Sequence, residues 1–228
     1  MNKVPVDMEM AKKYSFRIRL REVFTDGLLT NLKWNLFFIF TSLPVFTVGA
    51  SMAALSNCTN LLVKDDRVQY AAAKIYFASF KAAFRKMLPA GLVMLVLNIV
   101  FGFGLGFYIQ MMGQNIIFVP MASLSLLVLI ALWAVAIHLM PSVFEDTDFE
   151  NNTVTVTEKG IKELAGEAAA TAFASMKKTI IALVISAVMV VLLALYMPLT
   201  IPVVLTLGFA IPAQICAFSH TEPEILDY

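Results

Sequence analysis

The sequence predicts an all-α protein, a polytopic transmembrane helical bundle of about six spans with two cytoplasmic amphipathic helices. Three observations predict it. Hydrophobic residues make up 60% of the 228 residues and charged residues only 14%, and the mean hydropathy is +0.81; a soluble domain carries about 25% charged and about 45–50% apolar residues. Two long stretches, Met87 to Phe144 and Thr179 to Thr221, contain no Asp, Glu, Lys or Arg. The remaining charges fall into a few segments between the apolar ones, which is the pattern of membrane spans and their loops.

Residues 1–26 are polar and of mixed charge, and no small-residue cleavage site follows a short apolar run. They are expected to form a cytoplasmic amino-terminal segment, with the first apolar segment retained as an anchor. A helix needs about 20 mostly apolar residues to cross a hydrocarbon core about 30 Å thick. Leu28–Phe46, Met87–Gln110, Ile116–Met140, Ile180–Met197 and Leu199–Phe218 meet that requirement, with hairpin turns expected at Gly113-Gln114-Asn115 and at Pro198. Thr47–Val63 is shorter and rich in small and hydroxyl residues.

Charge decides how Thr47–Val63 is read. Sixteen of the 17 basic residues lie in 1–26, 64–86 and 145–178, and the exception is Lys33. Basic loops face the cytoplasm, so the unit 27–63 must cross an even number of times or dip in and return. Taking Thr47–Val63 as a second span gives six spans, both termini cytoplasmic, a single transmembrane domain over 27–218 and a short tail over 219–228. Residues 68–88 and 154–178 read as amphipathic helices lying at the membrane surface or under the bundle, each feeding straight into a span. In the first, Tyr76, Phe77, Phe80, Phe84 and Met87 recur at helical spacing, with Lys74, Lys81 and Arg85 on another face. In the second, Ile161, Leu164, Ala168 and Ala172 form the apolar stripe. Glu145, Asp146, Asp148 and Glu150 read as a solvated acidic turn.

No catalytic constellation is present. His138 has no carboxylate or cysteine at helical spacing, Pro223 interrupts the helix between His220 and Glu224, and Cys58 and Cys216 sit in apolar context as small hydrophobes. Gly102 and Gly106 are spaced for a Gly-xxx-Gly helix contact, which permits homo-oligomerisation. The formal net charge of +1 argues against a nucleic-acid binder. No enzyme activity, cofactor or metal is expected, and the lipid bilayer is the first partner. The unusual cluster lies in the first hairpin. Asn31, Lys33, Trp34, Asn35, Ser42, Pro44, Gly49, Ser51 and Asn57 are candidates for a polar cavity or a partner contact. Against this, Lys33 can snorkel to the headgroups beside Trp34 as a belt aromatic, and the small residues can simply pack the bundle. Lys74, Phe77, Phe80, Lys81, Phe84 and Arg85 form a candidate cytoplasmic partner surface.

The run Asn31-Leu32-Lys33-Trp34-Asn35-Leu36 through Ser42-Leu43-Pro44-Val45-Phe46-Thr47-Val48-Gly49-Ala50-Ser51 resembles the opening signature of the YesL family of small bacterial integral membrane proteins. The likeness continues in Phe77–Lys86, Met140-Pro141 and Gly208–Ala213, while the acidic Phe144-Glu145-Asp146 departs from the basic-aromatic pattern of that family. The resemblance offers no catalytic residues. It implies an accessory role in carbohydrate uptake in a Gram-positive bacterium, with a sugar transporter permease as partner. A small transporter or channel for a neutral solute is the alternative, and a membrane enzyme ranks last.

Overall fold

The computed structural model describes residues 28–64, 71–148, 151–196, 204 and 208–220. The expected segment 1–26, the tail beyond residue 220, the turn at Pro198 and most of 199–207 lie outside the described residues. Within them the protein is all-α but for one β-hairpin. The order is α1 (Leu28–Ser42), a 3-10 turn (Val45–Thr47), α2 (Val48–Lys64), α3 (Ala72–Met111), α4 (Phe118–Ser142), β1 (Phe144–Asp148), β2 (Thr153–Val156), α5 (Ile161–Ala174), α6 (Met176–Leu195) and α7 (Ala210–His220). Among the described residues, Val45–Lys64, Ala72–Met111 and Phe118–Ser142 are long and apolar enough to cross a membrane, and the bent pair α5–α6 makes a fourth if counted as one span.

Helix α1 ends at Ser42, two residues before Pro44, because proline disfavours helical backbone in the residue before it. Thr47 closes the corner by donating from Oγ1 to the Thr41 and Pro44 carbonyls. Helix α2 follows as the most buried element: its small and polar face meets α3, α7, α1 and α4. That explains its low hydropathy, since a helix surrounded by protein need not present apolar side chains to lipid. At its start Gly49 lies against Gly91 of α3, and a Cβ built on either would come within 2.5–2.6 Å of the other's Cα. The two backbones touch there with no side chain between them.

Helix α3 differs from the expectation of a surface helix followed by a span. Ala72–Met111 is one helix of 40 residues, about 60 Å long at 1.5 Å per residue. Its buried positions Ala72, Ile75, Tyr76, Ser79, Ala83 and Met87 keep helical period through the point where the charges stop, so the amphipathic part packs against α2 and does not lie free on a membrane. Beyond Gly91 no described residue of α3 is buried, and its Val93, Val96, Val100 and Phe103 are exposed. Among the described residues that half pairs mainly with α4, where Trp133 Nε1 donates to Asn98 Oδ1 at 3.0 Å. Gly102 and Gly106, read as a helix contact, have nothing within 4 Å among the described residues. Gly104 faces Ser125 of α4 instead.

Two cores hold the bundle, and both lie beside the charged half of α3. Trp34, Phe38, Leu55, Cys58, Leu62, Ile75 and Tyr76 join α1, α2 and α3. Ala50, Ala53, Ala83, Met87, Leu139, Met140, Val143, Leu164 and Ala168 join α2 and α3 to the end of α4 and to α5. The acidic stretch after Pro141 is not a plain turn. Phe144–Asp148 pairs antiparallel with Thr153–Val156, Asn152 takes the left-handed conformation at φ 53°, and Lys86 Nζ donates to the Thr157 carbonyl at 2.5 Å. The second amphipathic helix accordingly starts at Ile161, with Leu164, Ala168 and Ala172 buried, and not at residue 154. It meets α6 at a 94° bend.

Candidate functional site

The polar residues of the first hairpin are drawn inward and used by the chain itself. On α1, positions 31, 34, 35 and 38 share one buried face, as the i, i+3, i+4, i+7 spacing dictates. Asn35 Oδ1 accepts from the backbone N–H groups of Phe209 and Ala210 at 2.8 and 3.1 Å, and its Nδ2 donates to the Val204 carbonyl at 3.0 Å. Asn35 therefore caps the amino terminus of α7 from another helix, satisfying donors that a helix start leaves open. One turn earlier, Asn31 Oδ1 accepts from Gln214 Nε2 at 2.5 Å. Both amides are fully buried, and Asn31 Nδ2 and Gln214 Oε1 have no partner among the described residues.

Trp34 is buried, with Nε1 donating to the Ala72 carbonyl at 3.0 Å. This corrects the belt-aromatic reading: the indole N–H finds its acceptor in the first turn of α3, not in the headgroups. Trp34→Phe keeps a ring but removes that donor and should cost about 1 kcal/mol. Trp34→Ala empties the site and should cost about 3–5 kcal/mol. Thermal unfolding in detergent should rank the two in that order, and equal melting temperatures would refute this role.

Of the other candidates, Asn57 Nδ2 donates to Ser79 Oγ at 2.9 Å. Ser51 Oγ returns a bond to the Thr47 carbonyl at 3.1 Å, and Ser42 Oγ to the Ile39 carbonyl at 3.0 Å. Gly49 is the crossing point described above. Lys33 and Pro44 are exposed, so neither joins the buried cluster. Thr41 Oγ1 and Tyr76 Oη share a hydrogen bond at 2.8 Å. The cluster holds neutral amides and hydroxyls only. It can pair helices or hold a neutral hydrogen-bonding group.

On α3 the second candidate set divides. Lys74, Lys81 and Arg85 are exposed on one face. Phe77 is partly open but its ring lies 5.1 Å from Phe37, and Phe80 and Phe84, half-buried, sit edge to face at 5.6 Å. The surface is therefore cationic, with its aromatic part turned mostly into the bundle. His138 is packed against Thr179 Oγ1 at 2.9 Å, tying α4 to the start of α6. Just before α5, the hydrogen bond from the exposed Lys159 Nζ to Glu167 at 2.6 Å raises the lysine's pKa.

Sequence reasoning missed Gln214, Ser79, Tyr76 and Thr179. Gln214 carried a usable signal, because an amide inside a charge-free stretch must find a partner. The other three sit among residues ordinary for their surroundings.

A bundle with a polar interior closed by its own side chains and an apolar exterior on α3 and α4 is an α-helical membrane protein. Residues 28–105, from α1 to the distal half of α3, match the family model described as "Protein of unknown function, DUF624". Neither the search of curated proteins nor that of solved structures finds a match.

Proposed function

We propose that the protein is an accessory subunit of an oligosaccharide uptake system in the cell membrane, without catalysis of its own, with both termini cytoplasmic. The YesL resemblance supplies the carbohydrate context, and the DUF624 match over α1–α3 is compatible with it. The observation that carries the accessory role is the division of polar groups. The amides and hydroxyls of the first hairpin bind other parts of the chain, while Lys74, Lys81 and Arg85 stand exposed along one face of α3. An exposed cationic ridge on a stiff helix suits docking to an acidic surface of a permease. The charge distribution supports a unit 27–63 that crosses twice, giving six spans in all, or that dips in and returns.

Affinity purification from the native membrane should recover a permease with the protein. The combined variant Lys74→Ala, Lys81→Ala, Arg85→Ala should lose it, and deletion of the gene should impair uptake of one oligosaccharide class. Purified protein that moves sugar alone in liposomes would overturn this reading. It would favour a transporter or channel for a neutral solute, for which the unpaired Asn31 Nδ2 and Gln214 Oε1 offer one donor and one acceptor to a hydroxyl.

A further inference from the structure

We infer that α1 and α2 form a hairpin that dips into the leaflet on the basic side and returns, its apolar tip held by acyl chains, and that it never reaches the opposite face. This goes beyond the proposed function and does not depend on it.

Register carries the inference. Every named contact of α2 with α3 falls in the first half of that helix. Leu62 and Cys58 pack with Ala72, Ile75 and Tyr76, Asn57 bonds Ser79, Ala50 and Ala53 pack with Ala83 and Met87, and Gly49 touches Gly91. On α1, Trp34 bonds Ala72 and Thr41 bonds Tyr76. The tip of the hairpin therefore stands level with Gly91.

From Gly91 to Met111, α3 continues for about 30 Å, a full hydrocarbon thickness, with α4 as its main companion among the described residues. Two placements of the bilayer are possible. If it covers 72–91, so that α1 and α2 cross, the exposed Lys74, Lys81 and Arg85 sit in hydrocarbon and the apolar hairpin of Ile99, Phe103, Phe107 and Leu124 stands in water. If it covers 91–111, each of these groups meets the solvent it needs, with Arg85 at the headgroups. The second placement leaves the tip at the inner boundary of the hydrocarbon. The tip is apolar and open: Phe40 and Leu43 are each 69% exposed, Val45 59% and Phe46 51%. It adjoins Leu92 and Val93, where the lipid-facing surface of α3 begins. Acyl chains continue across both. The inward polar face of α2 is what a protein-covered, non-crossing helix permits.

The test uses the full chain with Cys58→Ala and Cys216→Ala, carrying Val45→Cys or Gly113→Cys singly. A membrane-impermeant maleimide is applied to intact cells and to inverted vesicles, and an environment-sensitive fluorophore at position 45 is challenged with nitroxide-bearing lipids. The expected result is that Gly113→Cys reacts from one face only, that Val45→Cys does not react from that face, and that lipid nitroxides quench the fluorophore. Reaction of both positions from the same face overturns the inference, since the tip then crosses. A fluorophore that lipid nitroxides do not quench overturns it as well, because the tip then lies in water or protein. Leu43→Cys, equally exposed, is the second reporter should Val45→Cys express poorly.

Discussion

Replacing Gly91 with valine is expected to remove most of the folded protein. A Cβ at this position would lie 2.6 Å from Gly49 Cα and 2.9 Å from its nitrogen, and one at Gly49 would lie 2.5 Å from Gly91 Cα and 2.8 Å from the Met87 carbonyl oxygen. These are backbone atoms, so no rotamer change relieves the clash, and the two helices must separate. Overpacking that side chains can absorb costs about 1–3 kcal/mol. Here α2 takes part in both cores, so parting it from α3 loosens both, against a total stability of about 5–15 kcal/mol. Gly91→Val and Gly49→Val should give little monodisperse protein on size exclusion after detergent extraction. Gly102→Val, with nothing within 4 Å among the described residues, should behave as the native protein. Native yield and melting temperature for Gly91→Val would mean that the two helices do not cross in contact.

Asn35→Leu is expected to release the last helix. Leucine has similar bulk but leaves the Phe209 and Ala210 N–H groups and the Val204 carbonyl without the partner Asn35 gives them. Each buried group left unsatisfied costs about 1–3 kcal/mol, which exceeds what a helix of 11 residues can hold by its own propensity, since isolated helices shorter than about 12–15 residues are marginal. Cys216 on α7 lies 4.0 Å from Ser186 of α6. It should react with a maleimide much faster in detergent-solubilised Asn35→Leu than in the native protein. Lys33→Ala, two positions away and exposed, should leave that rate unchanged. An unchanged Cys216 rate in Asn35→Leu would mean that Asn35 does not hold α7.

The helical class and the long apolar stretches were legible because hydrocarbon imposes length and charge exclusion directly on the sequence. The amphipathic segment and the span after it prove to be one helix, Ala72–Met111. Composition changes at Met87 while the helical period does not, and only the period reports continuity of the backbone. The polar cluster was legible as a cluster but not as to purpose. Asn31 and Asn35 look the same whether they face a cavity, a partner or α7, since their partners Gln214, Phe209 and Ala210 lie more than 170 residues away. Trp34 is placed at a membrane interface by statistics and in the core by one carbonyl. The β-hairpin was hidden because four acidic and threonine residues after Phe144 in a short strand carry no apolar alternation; Lys86 and Asn152 hold it in place. Gly102 and Gly106 share the spacing of a helix contact, yet the phase of α3 turns Gly104 to α4.

The unbroken length of α3 has a mechanical consequence. A helix of about 60 Å that is gripped along one half and nearly free along the other acts as a lever whose fulcrum is the Gly49–Gly91 crossing. Pro89, two residues from that point, has no N–H for the Arg85 carbonyl, so the rod bends most easily where it pivots. A tilt of about 5° imposed on the Lys74–Arg85 ridge would swing the far turn at Gly113 by about 3 Å, from the rise per residue beyond the pivot. Force applied to the cationic end is thus delivered at the Gly113 turn without any rearrangement of the loops between.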